Sequence, residues 1–273
     1  MTILVAPNEQ RDIGLEYSQR VARILSNCGV KVLSTLPFAS VVPVVSYEEG
    51  LKHCDIVIVL GGDGTILRVA QVTAEARKEI LGINLGKIGY MAGLEPTQFA
   101  KLVQLCRREY FVEERMMLSV RVLRKGDSLF CAKALNDVVI SHGAISRMID
   151  LEVFRGEQPL SSYRADGVIF STPTGSTAYS LSAGGPVIEP TFQAILMTPV
   201  CAHSLRARPT LFSGDSELRL KSKEGNTFVT VDGDRNFALL PGDEIQIVRA
   251  ECVTRLIRFD NNSFCHVLNN KLN

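Results

Sequence analysis

Gly61-Gly62-Asp63-Gly64-Thr65 is the stretch whose residue types and spacing point most directly to chemistry. Glycines packed this densely permit a tight backbone and let anionic oxygens approach main-chain N–H groups near a helix N-terminus. The pattern is neither G-x-G-x-x-G nor G-x-x-x-x-G-K-[ST], and Gly86-Lys87 lacks a following hydroxyl residue, so a dinucleotide fingerprint and a P-loop are both excluded. Phosphate repels a carboxylate in such a cradle unless a divalent cation neutralises the charge or the carboxylate faces a hydroxyl that must lose its proton. Both situations occur in phosphoryl transfer, where an Asp takes the acceptor's proton while Mg2+ carries charge on the phosphates. Asp63 is accordingly assigned the orientation and deprotonation of an acceptor hydroxyl. The plainer alternative is a strand-to-helix connection with Asp63 as N-cap.

The second polar concentration runs from Ser161 through Asp166-Gly167, across the apolar Val168-Ile169-Phe170, into Ser171-Thr172-Pro173-Thr174-Gly175-Ser176-Thr177-Ala178-Tyr179-Ser180-Leu181-Ser182. Its hydroxyls and amides suit a ribose, a phosphate or a base edge, although Ser/Thr caps and glycine turns use the same residues. Asn136-Asp137 lies just before the β-branched run Val138-Val139-Ile140 and by itself reads equally well as a turn.

These residues need elements to hold them. Short apolar runs at Thr2–Ala6, Val30–Leu33, Ile56–Leu60 and Ile80–Asn84 alternate with helical periods at Leu15–Leu25, Tyr47–Leu51, Ile66–Arg77 and Thr97–Arg107. Strand, helix, strand at this spacing predicts an α/β domain with a mostly parallel sheet. From Met117 the pattern turns to alternating segments such as Leu118–Val122, with turns at Arg124–Asp127, Asp232-Gly233 and Pro241–Asp243, which predicts a β-rich second domain. The division falls at 1–115 and 116–273, with the C-terminal tail allowed to pack back on the first domain.

With 273 residues, 46% of them hydrophobic, the chain can fill two cores, and a formal charge of +1 gives no general attraction for nucleic acid or anionic membrane. No apolar stretch is long enough for a bilayer span, so neither a membrane partner nor a nucleic-acid partner is expected. The seven cysteines form no C-x-x-C pair and no zinc-spaced cluster with histidine; reduced cytoplasmic thiols are the simpler reading. Cys265 and His266 carry no motif, His53 and His142 join no cluster, and no pre-formed metal site is expected.

Taken together, Gly61–Thr65, Gly82-Ile83-Asn84-Leu85-Gly86, Asn136-Asp137, Asp166 through Ser180, Thr198-Pro199-Val200-Cys201-Ala202-His203-Ser204-Leu205 and Arg208-Pro209 resemble the NAD kinase family over essentially the whole chain. The glycine turn alone would also fit a lipid kinase, and a non-catalytic NAD(P)-binding regulatory module is the other alternative. The resemblance implies an N-terminal Rossmann-like domain followed by a β-sandwich-like domain, in a homodimer or homotetramer. It implies transfer of the γ-phosphoryl group of ATP, or of polyphosphate, to the 2′-hydroxyl of the adenosine ribose of NAD, with Mg2+ or another divalent cation. By the same resemblance Asp63 approaches that hydroxyl and Asn136 with Asp137 hold the ribose edge. Asp166 lies near the nicotinamide, Thr177, Ala178, Tyr179 and Ser182 shape the dinucleotide pocket, and Gly62, Gly64 and Thr65 form the phosphate-side turn. Arg164 and His203 are read as phosphate-contacting or structural. Two positions depart from the family pattern: Asp137 stands where Glu is common, one methylene longer, and Ala165 where many relatives have Gly.

Overall fold

The computed structural model describes residues 1–39, 42–86, 89–143, 148–204, 206–223, 225–260, 264 and 267–269. Lys87, Leu205, Cys265 and His266 lie outside the described residues. The chain divides into one unit of Met1–Arg115 with the chain from Cys252, and a second of Met116–Glu251. The tail joins the first unit because Arg255 and Leu256 pair in parallel with Glu79 and Ile80.

In the first unit the elements are β1 (Thr2–Pro7), α1 (Glu16–Asn27), β2 (Lys31–Ser34), α2 (Tyr47–His53), β3 (Ile56–Gly61), α3 (Asp63–Glu75), β4 (Glu79–Asn84) and α4 (Leu102–Cys106). The strands lie in the order β2-β1-β3-β4, all parallel. Every residue of β3 is buried, which is why its run is apolar without alternation. Ile56, Ile58 and Leu60 share a core with Ile3, Val5, Leu81 and Ile83 and with Val21 and Leu25 of α1. Parallel direction brings the chain out of β1, β3 and β4 on one edge of the sheet, where ligands of such sheets bind. Backbone bonds tie these exits together, Asn8 N–H to the Leu60 carbonyl and Leu85 N–H to the Gly61 carbonyl, each at 3.0 Å.

The helix expected over 97–107 is instead a 3-10 segment, Pro96–Lys101, leading into α4. Gln98 turns its side chain back to accept from Glu95 N–H at 3.0 Å, and its own backbone leaves helical values (φ −104°, ψ 15°). At the start of α1, fully buried Asp12 accepts from the N–H groups of Tyr17 (3.0 Å) and Ser18 (2.9 Å) and from the Ser18 hydroxyl (2.6 Å).

The second unit follows with β5 (Phe111–Arg124), β6 (Asp127–Ala134), β7 (Asp137–His142), β8 (Ile149–Arg155), β9 (Gln158–Ala165), β10 (Gly167–Ser171), α5 (Tyr179–Ser182), β11 (Ala194–Val200), β12 (Thr210–Ser213), β13 (Leu218–Ser222), β14 (Thr227–Val231), β15 (Arg235–Leu239) and β16 (Glu244–Arg258); β5 begins and β16 ends in the first unit. An antiparallel sheet in the order β12-β11-β10-β7-β14-β15 shares one hydrophobic core with the antiparallel strands β9-β8-β13-β16 and the β5-β6 hairpin. Strand alternation decides which residues enter that core. Val138 and Ile140 of β7, Val168 and Phe170 of β10 and Val229 and Val231 of β14 point in, so their neighbours Asp137, Val139, Ser141 and Thr230 belong to the opposite face. Among the described residues no helix is long and apolar enough to cross a membrane.

Removing the Asp12 carboxylate would orphan buried donors at the start of α1. Asp12→Ala is expected to lower the unfolding free energy by about 1–3 kcal/mol, read from the urea midpoint at unchanged m-value.

Candidate active site

Gly62 is the N-cap of α3 and Asp63 its first helical residue, so the helix begins three residues before the expected Ile66. The N-cap reading of Asp63 is thereby replaced. Its side chain reaches across to another loop, where Oδ2 accepts from Tyr90 N–H at 2.8 Å and Oδ1 from Met91 N–H at 3.1 Å. Gly89 makes this approach possible, since a Cβ there would run into Asp63 Oδ1. The carboxylate is half-buried, and the positive end of α3 favours its charge. Two N–H bonds fix its orientation and leave lone pairs on both oxygens for a further donor.

The glycines of the turn do different things. A Cβ at Gly61 would collide with the Thr65 hydroxyl, whereas at Gly62 and Gly64 it would meet nothing within 4 Å. Those two positions therefore border open space that a phosphate could enter. Thr65 Oγ1 accepts from Asn8 Nδ2 at 3.0 Å, and Arg11 extends over Gly86, its guanidinium 3.5 Å from where a Cβ on that glycine would stand. Among the described residues no three His, Cys, Asp or Glu side chains gather closely enough to hold a metal ion.

In the second unit Asn136, Asp137, Ala178 and Tyr179 line one cleft of about 390 Å³, together with Val139, Ser141, Thr230, Asp232 and Gly233. Its floor is the face of β7 and β14 turned away from the core. Asp232, in a left-handed conformation (φ 48°), accepts from the N–H groups of Leu135 (2.8 Å), Asn136 (2.8 Å) and Asp137 (3.0 Å), while its own N–H donates to the Asp137 carbonyl at 3.0 Å. Burial raises the Asp232 carboxyl above its ordinary value, and the three N–H donors pull it partly back. Asp137 is only 6% exposed; burial first and the neighbouring Asp232 second push its carboxyl up to about 7.

Thr177 and Ser182 flank Ala178 and Tyr179 in the chain without lining the cleft, Thr177 donating to the Thr174 carbonyl at 3.2 Å and Ser182 standing exposed at the end of α5. Asp166 is exposed at the opposite end of β10 from Ser171, the residue that pairs with Asp137. Arg164 and His203 are exposed as well and are joined by a backbone bond, His203 N–H to the Arg164 carbonyl at 2.9 Å.

The ATP-NAD kinase N-terminal domain profile matches residues 2–110 and the ATP-NAD kinase C-terminal domain profile residues 135–259. The chain belongs to the ATP-NAD kinase family. Membership sets aside the lipid-kinase alternative and gives the reaction class, phosphate transfer from ATP to NAD. An NAD kinase of Symbiobacterium thermophilum is 41% identical over 272 residues, covering 97% of this chain and 96% of that protein. One of Carboxydothermus hydrogenoformans is 43% identical over 235 residues, 85% and 84% of the two chains. The crystal structure of yeast NADH kinase complexed with NADH superposes with a TM-score of 0.88 at 26% identity, over 100% of this chain and 87% of that one. The NAD kinase of Archaeoglobus fulgidus in complex with ATP shares the fold at a TM-score of 0.78 and 24% identity, over 98% of each chain.

In the sequence of this ATP-NAD kinase Asp232-Gly233 reads as a hairpin turn only, and Tyr90, Met91 and Asn8 stand in no motif. Backbone donors have no sequence signal. Asp232 had one, a carboxylate directly after a strand whose alternate residues are buried.

Between the unfolded value of 3.8 and about 7, folded Asp137 binds more proton than the unfolded chain, so the stability it contributes is complete below about pH 4 and lost as the pH rises through about 7. Asp137→Asn cannot titrate and should gain on the parent between about pH 5 and pH 8, by up to about 1.4 kcal/mol per pH unit. Urea unfolding of both proteins at the two pH values measures this; an unchanged difference would show that Asp137 does not titrate in that window.

Proposed function

We propose that this kinase attaches the γ-phosphoryl group of ATP to the 2′-hydroxyl of the adenosine ribose of NAD, forming NADP. Asp63 takes the hydroxyl proton as the ribose oxygen bonds to the γ-phosphorus, and the bond to the bridging oxygen breaks to release ADP. The observation that carries this reading is the Asp63 carboxylate itself, oriented by two N–H donors, half-exposed, and beside a glycine turn with open space at Gly62 and Gly64. A carboxylate so placed is an acceptor awaiting a donor, which suits a hydroxyl better than a phosphate.

Gly62, Gly64 and Thr65 offer the phosphate-side turn. Asn136 and Asp137 hold the ribose edge, and a carboxyl that titrates near 7 can donate to or accept from a sugar hydroxyl. Ala178 and Tyr179 wall the dinucleotide cleft, Thr177 and Ser182 support that wall, and Asp166 serves the nicotinamide side. β10 separates Asp166 from the Asp137 end by five residues, about 17 Å of strand, a span that an extended dinucleotide can follow. A divalent cation, when bound, would neutralise charge on the phosphates. The phosphate oxygens of ATP are hard donors suited to Mg2+. A homodimer or homotetramer is proposed from the family resemblance.

Asp63→Asn keeps the size and removes the base. It is expected to lower kcat for NADP formation about 10²–10⁴-fold with NAD affinity changed by less than about threefold, measured by coupled assay and calorimetric titration. Full turnover by the folded variant would end the assignment of Asp63, and NAD binding by the parent without NADP formation would favour the non-catalytic module.

A further inference from the structure

The N–H groups that orient Asp63 belong to a backbone segment held from its other side by one buried guanidinium. Arg258, the last residue of β16 and 2% exposed, donates from Nη2 to the Tyr90 carbonyl at 3.1 Å and from Nη1 to the carbonyls of Met91 at 2.9 Å and Ala92 at 2.7 Å. The peptide unit linking Tyr90 to Met91 is therefore gripped at both ends. Its carbonyl bonds to Arg258, and its N–H bonds to Asp63 Oδ1. Because that unit is planar, fixing the carbonyl fixes the N–H direction, and a cation on the carbonyl polarises the group into a stronger donor.

Arg258 is itself anchored. Glu113 Oε1 accepts from its Nε at 3.3 Å and Nη2 at 3.2 Å, and from Nε of Arg115 at 2.6 Å. Burial would raise the Glu113 carboxyl, but the two guanidinium groups together hold it below the usual carboxylate range. Arg115 is also fully buried, and its charge interacts favourably with Asp63.

We infer that Arg258 is a positioning residue for the phosphoryl-transfer reaction, fixing through the Tyr90–Met91 peptide unit the orientation in which Asp63 meets the acceptor hydroxyl. The arrangement uses all of the fork geometry of Arg: three carbonyls on one side and a carboxylate on the other. Lysine keeps the charge but gathers its three donors at one nitrogen and cannot span both.

This inference rests on the assignment of Asp63 as base, so Asp63→Asn is assayed beside Arg258→Lys. Arg258→Lys is expected to lower kcat about 10–100-fold, with KM for NAD and ATP and the NAD dissociation constant within about threefold of the parent. A merely structural role would lower the melting temperature and weaken binding without a selective loss in kcat. If Arg258→Lys does not unfold cooperatively, Glu113→Gln, which loosens the guanidinium while leaving it in place, must show the same kcat-selective loss. Full kcat in Asp63→Asn would overturn the base assignment; loss of kcat there, with parental kcat in whichever folded anchor variant is assayed, would overturn the role of Arg258 alone.

Discussion

To serve as the proposed base for a sugar hydroxyl, Asp63 has to be fixed in direction and still reachable, and the two N–H bonds from Tyr90 and Met91 meet both demands. They take one acceptor position on each oxygen. The first unit can be understood as what is needed to present those bonds. β3 and β4 run parallel, so the loops that leave them emerge at the same edge; one opens α3 with Asp63, and the other leads to the Tyr90–Met91 backbone. Gly89 keeps that backbone close enough, and Arg258 with Glu113 and Arg115 holds it from behind.

Buried charge is costly unless paired and hydrogen-bonded. Here its placement follows function closely. Arg258 does not sit in the core merely as an ion pair with Glu113; it grips the segment that touches Asp63, and Arg115 holds the same Glu113. An apolar side chain of equal volume in place of Arg258 would fill the space, but nothing apolar could hold three carbonyls. Stability by itself therefore does not explain these residues, whereas orientation of the loop does.

The second unit solves a related problem with a sheet. Period two puts Val138 and Ile140 into the core and leaves Asp137, Val139 and Ser141 on the face that floors the cleft. Asp232 then closes the entrance to β7 by collecting three successive N–H groups, which gives the loop around Asn136 a defined shape without help from the ligand. Burial of Asp137 first, and the neighbouring Asp232 second, raise the Asp137 carboxyl. A group that changes charge near neutrality is useful beside a sugar hydroxyl and is a liability for stability as the pH rises.

Much of this was decided locally. Apolar runs too short for helices and helical periods between them specified a parallel α/β unit, and alternation after Met117 specified a β-rich one, because side-chain period depends only on backbone geometry. Gly61–Thr65 announced a tight strand-to-helix turn with a carboxylate in it, since glycine spacing and an acidic residue are properties of the chain itself. What the chain alone could not specify was who orients that carboxylate. Asp63 is held by backbone N–H groups 27 and 28 residues away, and those in turn by a guanidinium more than 160 residues further on. Peptide groups are the same at every position, so no residue type marks Tyr90 or Met91 as donors; only the folding of β3, β4 and β16 into one sheet brings these groups within 3 Å or so of each other. Asp232 shows the same division, a turn residue by sequence and a clamp on β7 only once β14 lies beside it.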